Sequence, residues 1–533
     1  MIPRPAATLI LLRPGAAGLE TLMLQRTQGA VFLGGAYVFP GGSLDAADAA
    51  AQRVIGLTDA QASERLGLPA GGLAYYVAAV RECFEEAGVL LAVHEDGTPV
   101  DAARAAGLLP FRERFFEVLE REDLYIPAGA LAYYGHWITQ PGRPRRFDTR
   151  FFMALAPEGQ EGAHDATEHI HQLWTTPRQA LERGKRGEIE LVYATTQTLQ
   201  ELARFAEPRA ALEHAHGLAE IATNRACRAQ GKDGERVFRR GDPQYFEIHW
   251  CDPQESGQSS YDLVPGVPKR LDRFTTRLTA PNPGAMTGPG TNTYLVGEHE
   301  LAVIDPGPAI DSHIESILAF ANIRWVLCTH THLDHSPAAA AIKAATGAKV
   351  FGRPAPRGQD ATFAPDEVLE DGQRIRLGSG SFKAIHTPGH ASNHLCYLLE
   401  ETKMLFTGDH VMQGSTVVIN PPDGNMRAYL ASLERLLAED LAILAPGHGY
   451  LIGEPRHELR RLMQHRMKRE AKVVGALRTL GEASVEELVP LAYDDVPVRM
   501  HGWAARSLTA HLHKLVADGA ARAKGERFAL VQS

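Results

Sequence analysis

Short apolar runs that end in polar loops recur along this chain and predict a mixed α/β protein. The run Ala6–Leu12 is typical of a first strand, and the segments Thr291–Asp305 and Trp325–His330 also predict strands that end in polar loops. Beyond residue 455 the pattern changes, because apolar residues recur there at helical spacing. These residues are Leu459, Leu462, Met463, Val473, Leu477 and Leu480.

Two changes in composition divide the chain. Gly231–Lys269 is rich in Gly, Pro, Asp, Gln and Ser, which is typical of a loop or linker. A second boundary falls near Gly453-Glu454-Pro455. A length of 533 residues allows about two to four domains.

The overall composition excludes several classes of protein. A hydrophobic content of 44% and a charged content of 22% are those of a globular chain, not of a disordered or collagen-like one. No apolar stretch approaches about 18 residues, so we expect no transmembrane helix and no membrane partner. Five scattered cysteines indicate a reduced, cytoplasmic protein. The net charge of −9 argues against nucleic-acid binding by the whole protein.

The strongest chemical signal is a cluster of potential metal ligands directly after an apolar run. His330, His332, Asp334 and His335 lie within six residues of one another. So much polarity cannot pack as a core, and imidazole and carboxylate groups suit zinc, iron or manganese. Later loops that follow apolar runs or contain Pro-Gly turns supply further candidates. They contain His386 and His390, Asp409 and His410, and His448.

These motifs resemble those of the metallo-β-lactamase-fold hydrolases over about residues 270–453. The segment Arg277–Val296 (RLTAPNPGAMTGPGTNTYLV) also resembles the opening of bacterial hydrolases of this family. The resemblance implies an αββα sandwich and two Zn²⁺ ions, or iron or manganese. It assigns His330, His332 and His390 to the first metal, Asp334, His335 and His448 to the second, and Asp409 as a bridge. Asp334 is also a candidate catalytic residue.

A site of this type has a defined chemistry. Two metal ions about 3.5–4 Å apart share a hydroxide and clamp the attacked group, and such a water can titrate near pH 7. The alternative is a structural zinc site, although such sites usually close four ligands around one metal. We expect His386, His394 and His410 to support the ligands or the fold rather than to bind metal.

A second candidate site is a predicted helix that carries three carboxylates on one face. Glu82, Glu85 and Glu86 are spaced i, i+3 and i+4, opposite an apolar stripe. Three like charges repel one another unless a cation neutralises them, and carboxylates suit Mg²⁺ or Mn²⁺. We expect Gly88 to end this helix. The alternative is an ordinary solvated helix face.

The segment Arg81–Val89 resembles the second half of a Nudix box, REUxEExGU, where U is apolar. Val38–Gly42 and Leu24–Arg26 resemble the approach to that box, and the similarity covers about residues 1–205, including a later strand at Arg146–Phe152. The resemblance implies an α/β/α sandwich that hydrolyses phosphoanhydrides of a small nucleotide or coenzyme A-type substrate. In it Glu85 and Glu86 would hold Mg²⁺ or Mn²⁺, Glu82 would assist as ligand or base, and Arg81 would orient the carboxylates.

The first half of the box departs from the family pattern. Asp48 stands where the family has Glu, and 32 residues (Ala49–Val80) separate it from Arg81. A long insertion at this place resembles the peroxisomal coenzyme A diphosphatase branch of Nudix hydrolases. A Nudix fold without turnover is therefore an alternative. Glu168, in a polar loop, is a further candidate base.

The last segment predicts a winged helix. Ser484 with Glu487 forms a capping-box pattern, His501–Asp518 predicts a longer helix that Gly519 closes, and Ala520–Val531 predicts a hairpin. Similar small domains follow the metallohydrolase domain in beta-lactamase-like endoribonucleases. From Pro455 to the end the formal charge is +5, with 14 Lys and Arg against nine Asp and Glu. Candidate phosphate contacts are Arg506, Lys514, Arg522, Lys524 and Arg527. A packing or dimerisation role is the alternative.

The predicted whole is a multidomain α/β and α+β protein. It comprises a Nudix-like domain (1–205), a connecting segment (206–269), a metallo-β-lactamase-fold domain (270–453) and a winged helix (454–533). We predict a metal-dependent hydrolase with a dinuclear site, fused to a Nudix-type diphosphatase module. Its substrate stays open between a thioester, as in glyoxalase II, and single-stranded RNA, and the Nudix half is either catalytic or a ligand sensor. The oligomeric state also stays open.

Overall fold

The computed structural model describes residues 2–29, 34–165 and 168–531. The chain forms two compact units, Met1–Ala226 and Cys227–Ser533, and each is described by itself. Within the described residues no helix combines the length and the apolar character needed to cross a membrane.

The first unit combines a large mixed sheet with eight helices in its described part. Its strands are β1 (Arg4–Gly15), β2 (Gly18–Arg26), β3 (Ala36–Val38), β4 (Gly41–Ser43), β5 (Val54–Ile55), β6 (Ile126–Pro127), β7 (Ala132–Ile138), β8 (Phe147–Leu155), β9 (His169–Thr175), β10 (Glu190–Leu191) and β11 (Thr223–Arg225). Its helices are α1 (Ala46–Ala50), α2 (Asp59–Leu66), α3 (Leu73–Ala87), α4 (Ala102–Leu108), α5 (Phe115–Arg121), α6 (Pro177–Lys185), α7 (Tyr193–Leu202) and α8 (Pro208–His216). Short 3-10 turns cover Leu109–Arg114 and Ala128–Ala130.

The long helix α3 packs on one face of this sheet. The strand order is β10-β3-β2-β1-β8-β7-β11, with β4 paired to β1 and β9 paired to β2. Apolar residues of α3 such as Tyr76 and Val80 share a core with Leu9 and Phe152 of the sheet. The helix ends at Gly88, whose φ of +65° favours glycine. The predicted strands at Ala6–Leu12 and Arg146–Phe152 and the helix end at Gly88 are confirmed.

The second unit contains three larger sheets. Its strands are β12 (Cys227–Ala229), β13 (Arg236–Phe238), β14 (Lys269–Arg270), β15 (Thr275–Thr279), β16 (Asn292–Val296), β17 (Leu301–Ile304), β18 (Ile323–Leu327), β19 (Lys349–Gly352), β20 (Glu367–Val368), β21 (Arg374–Leu377), β22 (Gly380–His386), β23 (Leu395–Leu399), β24 (Met404–Gly408), β25 (Ile443–Pro446), β26 (Ala483–Ser484), β27 (Ala521–Lys524) and β28 (Arg527–Leu530). Its helices are α9 (Tyr245–Cys251), α10 (Asp311–Leu318), α11 (Ala339–Thr346), α12 (Met426–Leu436), α13 (Pro455–Leu480), α14 (Val485–Ala492) and α15 (His501–Ala517), with a 3-10 turn at Val498–Met500.

Two of these sheets face each other across one core. Strands β14 to β20 form one sheet in chain order and β21 to β25 form the other. Tyr294 and Phe351 of the first sheet share a core with Phe382, Tyr397 and Phe406 of the second. Buried residues of α10 and α11 cover the outer face of the first sheet, and residues of α12 cover that of the second. The layers are therefore helix, sheet, sheet and helix, as predicted.

The C-terminal part has the predicted winged-helix elements. Ser484 caps α14 and forms a capping box with Glu487. Strands β27 and β28 form the hairpin, and β26 pairs with β28. The residues with helical spacing after Pro455 lie on a single helix, α13, and Leu477 packs against Leu488 and Leu512 of the next two helices.

Residues 206–269, expected as a connecting segment, carry structure of their own. Helix α8 and strand β11 belong to the first unit, and β11 extends its sheet by pairing with β7. Strands β12 and β13 and helix α9 belong to the second unit. The polar composition of this segment does not predict these elements. They form because Tyr245, Ile248 and Tyr261 bury enough apolar surface to fold a short segment.

Candidate metal centres

The predicted ligands of the second unit lie in loops at the ends of neighbouring strands. His330, His332, Asp334 and His335 follow β18, His390 lies between β22 and β23, and Asp409 and His448 follow β24 and β25. Backbone hydrogen bonds join these loops. The amide of Leu395 donates to the carbonyl of Thr329 at 2.7 Å, and that of Asn292 donates to Gly447 at 2.7 Å. The sheets thus bring residues far apart in sequence to one place.

The first three histidines converge on one point. Nδ1 of His332 lies 2.9 Å from Nε2 of His330 and 3.0 Å from Nε2 of His390. Nδ1 of His390 must carry its proton, because it faces the carbonyl oxygen of Val418 at 2.8 Å. Its Nε2 therefore presents a lone pair, which is what a metal ligand requires.

The same argument applies to His330. Its Nδ1 lies 3.0 Å from the hydroxyl of Thr329, which already donates its proton to Asp305 at 2.8 Å. Nδ1 of His330 therefore donates, and Nε2 presents a lone pair to His332 and His390. Converging lone pairs repel unless a cation lies between them.

The second group joins two histidines to two carboxylates. Nε2 of His448 lies 3.3 Å from Oδ2 of Asp334 and 3.3 Å from Oδ1 of Asp409. Nε2 of His335 lies 3.5 Å and 3.4 Å from the same two oxygens. Oδ2 of Asp409 lies 3.7 Å from Nε2 of His390, so this carboxylate faces both groups.

Orphaned polar atoms show that these residues fit metal ions. Nε2 of His335, Nε2 of His448 and Oδ1 of Asp409 are buried and have no hydrogen-bond partner in the described part of the chain. An unsatisfied buried polar atom costs about 1–3 kcal/mol. Among the described residues, three groups each have their potential ligand atoms within 4.8 Å of one another. The groups are His330, His332 and His390; His330, His335 and Asp409; and Asp334, His335 and His448. The donor set of imidazole and carboxylate suits zinc, iron or manganese.

The electrostatics differ between the two groups. Burial, with His390 beside it, lowers the pKa of His332 to about 4, and burial together with His335 holds the pKa of His330 well below its ordinary value. Burial also opposes protonation of His448, but Asp409 and Asp334 outweigh it and raise its pKa to about 9. His330 and His332 are therefore neutral at pH 7, whereas the second group attracts positive charge, which a metal ion supplies in place of a proton.

Asp305 is a site residue that the sequence analysis missed. It follows β17, and its Oδ2 lies 2.9 Å from Nδ1 of His335, which it orients. The amide of Thr329 also donates to it at 2.7 Å. Asp305 has a φ of +48°, a conformation unusual outside glycine. A polar residue directly after a buried strand was the available signal, but the sequence Asp305-Pro306-Gly307 is equally typical of a turn.

The three other histidines near the cluster lie around the ligands. His394 is buried and stacks on His330 with ring centres 5.0 Å apart, and His410 is buried 5.7 Å from His394. His386 directs Nε2 to the carbonyl of Ser392 at 2.9 Å. None of the three belongs to the ligand sets of the described residues.

An ion pair joins the two halves of the split Nudix-like box in the first unit. Nε and an Nη of Arg81 donate to the two oxygens of Asp48 at 2.8 and 3.0 Å, and Asp48 is almost fully buried. The other Nη donates to Glu82 at 3.0 Å and to Glu85 at 2.9 Å. The inserted residues thus return the chain so that Asp48 meets Arg81, and the same guanidinium contacts Glu82 and Glu85.

The carboxylate face of α3 is only partly exposed to solvent, with Glu85 26% and Glu82 14% exposed. Glu86 is buried and accepts a hydrogen bond from the amide of Gly41 at 2.8 Å. Burial raises the pKa of Glu82 to about 7, and burial together with Glu82 raises the pKa of Glu86 well above its ordinary value. A bound cation would offset the free-energy cost of ionising these buried carboxyl groups. Carboxylate ligands of this kind suit Mg²⁺ or Mn²⁺. Glu168 is mostly exposed and lies 3.5 Å from Arg26.

Two of the five basic residues proposed to contact phosphate are already paired. Lys514 donates to Glu470 and to Asp518, each at 2.8 Å, and Arg527 donates to Glu487 at 2.9 Å. The other three, Arg506, Arg522 and Lys524, are exposed.

Family models match three parts of the chain in the predicted order. A NUDT19 Nudix domain matches residues 57–205, the metallo-beta-lactamase superfamily matches residues 286–448, and a beta-lactamase associated winged helix domain matches residues 484–528. The predicted resemblances and their order are confirmed. The first match begins inside the insertion that separates Asp48 from Arg81.

Curated relatives resemble about half of the chain. The "Lactamase-like protein adaB" of Aspergillus niger is 30% identical over 304 residues, which are 53% of this chain and 92% of the relative. The "Atrochrysone carboxyl ACP thioesterase" of Aspergillus chevalieri is 32% identical over 278 residues, 49% of this chain and 86% of the relative. Among solved structures, a NUDIX hydrolase from Alicyclobacillus acidocaldarius is 30% identical, covering 40% of this chain and 96% of its own, with a TM-score of 0.34.

Proposed function

Because this chain belongs to the metallo-β-lactamase superfamily, we propose that its histidine cluster holds two metal ions and hydrolyses acyl thioesters. The observation that carries the proposal is the convergence of seven imidazole and carboxylate side chains, with three buried atoms that lack a hydrogen-bond partner among the described residues. A relative 32% identical to this chain is named a thioesterase. The roles of the seven residues as ligands remain predictions.

The proposed assignment divides the ligands as the geometry groups them. His330, His332 and His390 would hold one ion, and Asp334, His335 and His448 the other, with Asp409 facing both. Bound divalent ions supply Lewis-acid chemistry, because they polarise a carbonyl and generate a nucleophile at neutral pH.

The chain's own residues prepare this site. Asp305 and the carbonyl of Val418 hold the rings of His335 and His390 in one orientation, so little reorganisation is needed during turnover. The side chain of Asp334 is 27% exposed and so faces both the cluster and solvent. We assign it as the group that passes a proton between the site and solvent.

A thioester substrate is favoured over single-stranded RNA by two observations. The relatives include proteins named thioesterases. In addition, Lys514 and Arg527 of the winged helix are engaged by Glu470, Asp518 and Glu487, which leaves less free positive charge for a phosphate backbone.

A substrate panel tests the proposal. The purified full chain is given an acyl-coenzyme A thioester or a single-stranded RNA, each with Zn²⁺ and with EDTA. We expect Zn²⁺-dependent release of free thiol and no RNA cleavage. RNA cleavage without thioester turnover would replace this proposal by an endoribonuclease.

For the first unit we propose a diphosphatase that acts on a small nucleotide or coenzyme A-type molecule with Mg²⁺ or Mn²⁺. The proposal is supported by Arg81, which holds Asp48, Glu82 and Glu85 together, and by the match to a Nudix domain. Incubation of coenzyme A with the chain and Mn²⁺, with product detection by chromatography, tests it. We expect cleavage that Glu85→Gln abolishes. Binding without cleavage would support the ligand-sensor alternative.

A further inference from the structure

A buried histidine of the first unit has no hydrogen-bond partner among the residues that the structure describes. The side chain of His169, the first residue of β9, is 0% exposed. Neither ring nitrogen forms a hydrogen bond within the described residues. Leaving such atoms unsatisfied costs about 1–3 kcal/mol each, so the position requires an explanation.

The ring lies between two carboxylates. Nε2 of His169 is 3.8 Å from Oε1 of Glu86, and Nδ1 is 3.7 Å from Oδ1 of Asp165. The backbone holds this arrangement, because the amide of His169 donates to Asp165 at 2.9 Å and the amide of Asp165 donates to the carbonyl of Glu86 at 3.1 Å. The ring is therefore fixed beside Glu86 by its own loop.

The separation of 3.8 Å between His169 and Glu86 is informative. It is too long for a hydrogen bond. Two ligand atoms about 2.1–2.2 Å from one cation, at angles of about 90–120°, are about 3–3.8 Å apart. The other oxygen of Glu86 is occupied by the amide of Gly41, which leaves Oε1 facing the imidazole.

The chemistry of the pair indicates which cation would fit. Both ring nitrogens of His169 are buried without a hydrogen-bond partner among the described residues, and Nε2 faces Oε1 of Glu86. Mg²⁺ prefers oxygen ligands and keeps its water, whereas an imidazole nitrogen suits transition metals. A site with one carboxylate and one imidazole therefore distinguishes Mn²⁺ from Mg²⁺.

We propose that His169 is a nitrogen ligand of the cation held by Glu86 and that it makes the first unit prefer Mn²⁺ over Mg²⁺. This inference rests on the cation site proposed above for the Nudix half. It adds to that site a residue outside the box motif, on a strand about 80 residues further along the chain.

Binding measurements on the full chain test the proposal. The chain is first loaded with two equivalents of Zn²⁺ to fill the histidine cluster and is then titrated with Mn²⁺, followed by electron paramagnetic resonance. We expect nitrogen coupling to the bound Mn²⁺ in the unmodified chain. We expect His169→Gln to weaken Mn²⁺ binding about tenfold or more and to leave Mg²⁺ binding, measured by competition, within about twofold.

Two control variants separate the possible outcomes. His171→Gln changes an exposed histidine of the same strand and should leave both affinities unchanged. Glu86→Gln should weaken both cations, and if it weakens neither, the cation site of the Nudix half is itself refuted. If Glu86→Gln weakens both cations but His169→Gln alters neither, or if bound Mn²⁺ shows no nitrogen coupling, the role of His169 is refuted. If His169→Gln fails to fold, the presence or absence of nitrogen coupling to Mn²⁺ in the unmodified chain still tests whether a nitrogen ligand binds the cation.

Discussion

Glu247 and Arg277 form a buried, two-pronged ion pair at the base of the loop that carries His448. The two Nη atoms of Arg277 donate to the two oxygens of Glu247 at 2.6 and 3.0 Å. Arg277 also donates to the carbonyl of Gly449 at 3.3 Å, and Glu247 accepts from the amide of Leu451 at 3.0 Å. Helix α9, in a segment expected as a linker, therefore holds a loop of the proposed metal centre.

Removing the charge of Glu247 should destabilise the second unit. Glu247→Gln leaves Arg277 fully buried without its counter-charge, which typically costs about 3–5 kcal/mol. Urea unfolding, followed by tryptophan fluorescence and by loss of thioester turnover, measures the change.

The matched control is an exposed glutamate of the same unit. Glu235→Gln removes a surface partner of Arg228 and should cost about 0–1 kcal/mol. If Glu247→Gln and Glu235→Gln have the same small effect, the buried pair does not stabilise the unit.

The same pair predicts a dependence of stability on pH. Burial opposes ionisation of Glu247, but Arg277 and Lys269 outweigh it and lower its pKa from 4.5 to about 2. Because the folded pKa is depressed, its stabilising contribution is present above about pH 4.5 and is lost as the pH falls toward 2. The gap in urea midpoint between the unmodified chain and Glu247→Gln should therefore narrow between pH 5 and about pH 3. A gap that stays constant over this range would contradict the assignment.

Loss of one ligand should remove metal and activity together. His332→Ala takes away the nitrogen that lies between His330 and His390, and we expect lower metal content by plasma mass spectrometry and at least about a hundredfold lower thioester turnover. His299→Ala changes an exposed histidine and should alter neither quantity. Full metal content in His332→Ala would remove this residue from the ligand set.

Asp305 should control metal affinity without contacting the metal. Asp305→Asn weakens the hydrogen bond that orients His335, and loss of such a partner typically costs about 10–100-fold in metal affinity or activity. Competition with a zinc-sensitive dye measures the affinity. An unchanged dissociation constant would show that the strand end alone orients His335.

The ion pair between Asp48 and Arg81 should affect the activity proposed for the first unit and not that of the second. Asp48→Asn leaves a buried guanidinium with incomplete pairing, so we expect loss of diphosphatase activity with thioester turnover unchanged. Asp45→Asn is the matched control, since Asp45 is 69% exposed and lies 3.9 Å from Arg81. Equal effects of the two substitutions would mean that Asp48 does not complete the box.

Local patterns predicted well which strands and helices form in the second unit and that its histidine-bearing loops follow strands. The proposed ligands His330, His332, Asp334 and His335 are close in sequence and follow a strand, so their proximity hardly depends on the rest of the fold. The capping box at Ser484 is equally local, and the structure contains it.

Contacts between distant parts of the chain were not predictable. Glu247 lies in a polar segment, and its role depends on Arg277, which is 30 residues away. Asp48 meets Arg81 only after the inserted residues fold back, and His169 meets Glu86 only because β9 pairs with β2. Composition and spacing do not predict contacts between residues that are distant in sequence, because tertiary packing determines these contacts.

We propose that seven converging side chains hold two metal ions that are required for thioester hydrolysis. The most direct measurement is a titration of the metal-stripped chain with Zn²⁺ while thiol release from an acyl-coenzyme A is followed. We expect no turnover before Zn²⁺ is added and a rise that reaches its plateau at about two equivalents per chain. Full turnover of the stripped chain in the presence of chelator would contradict this proposal.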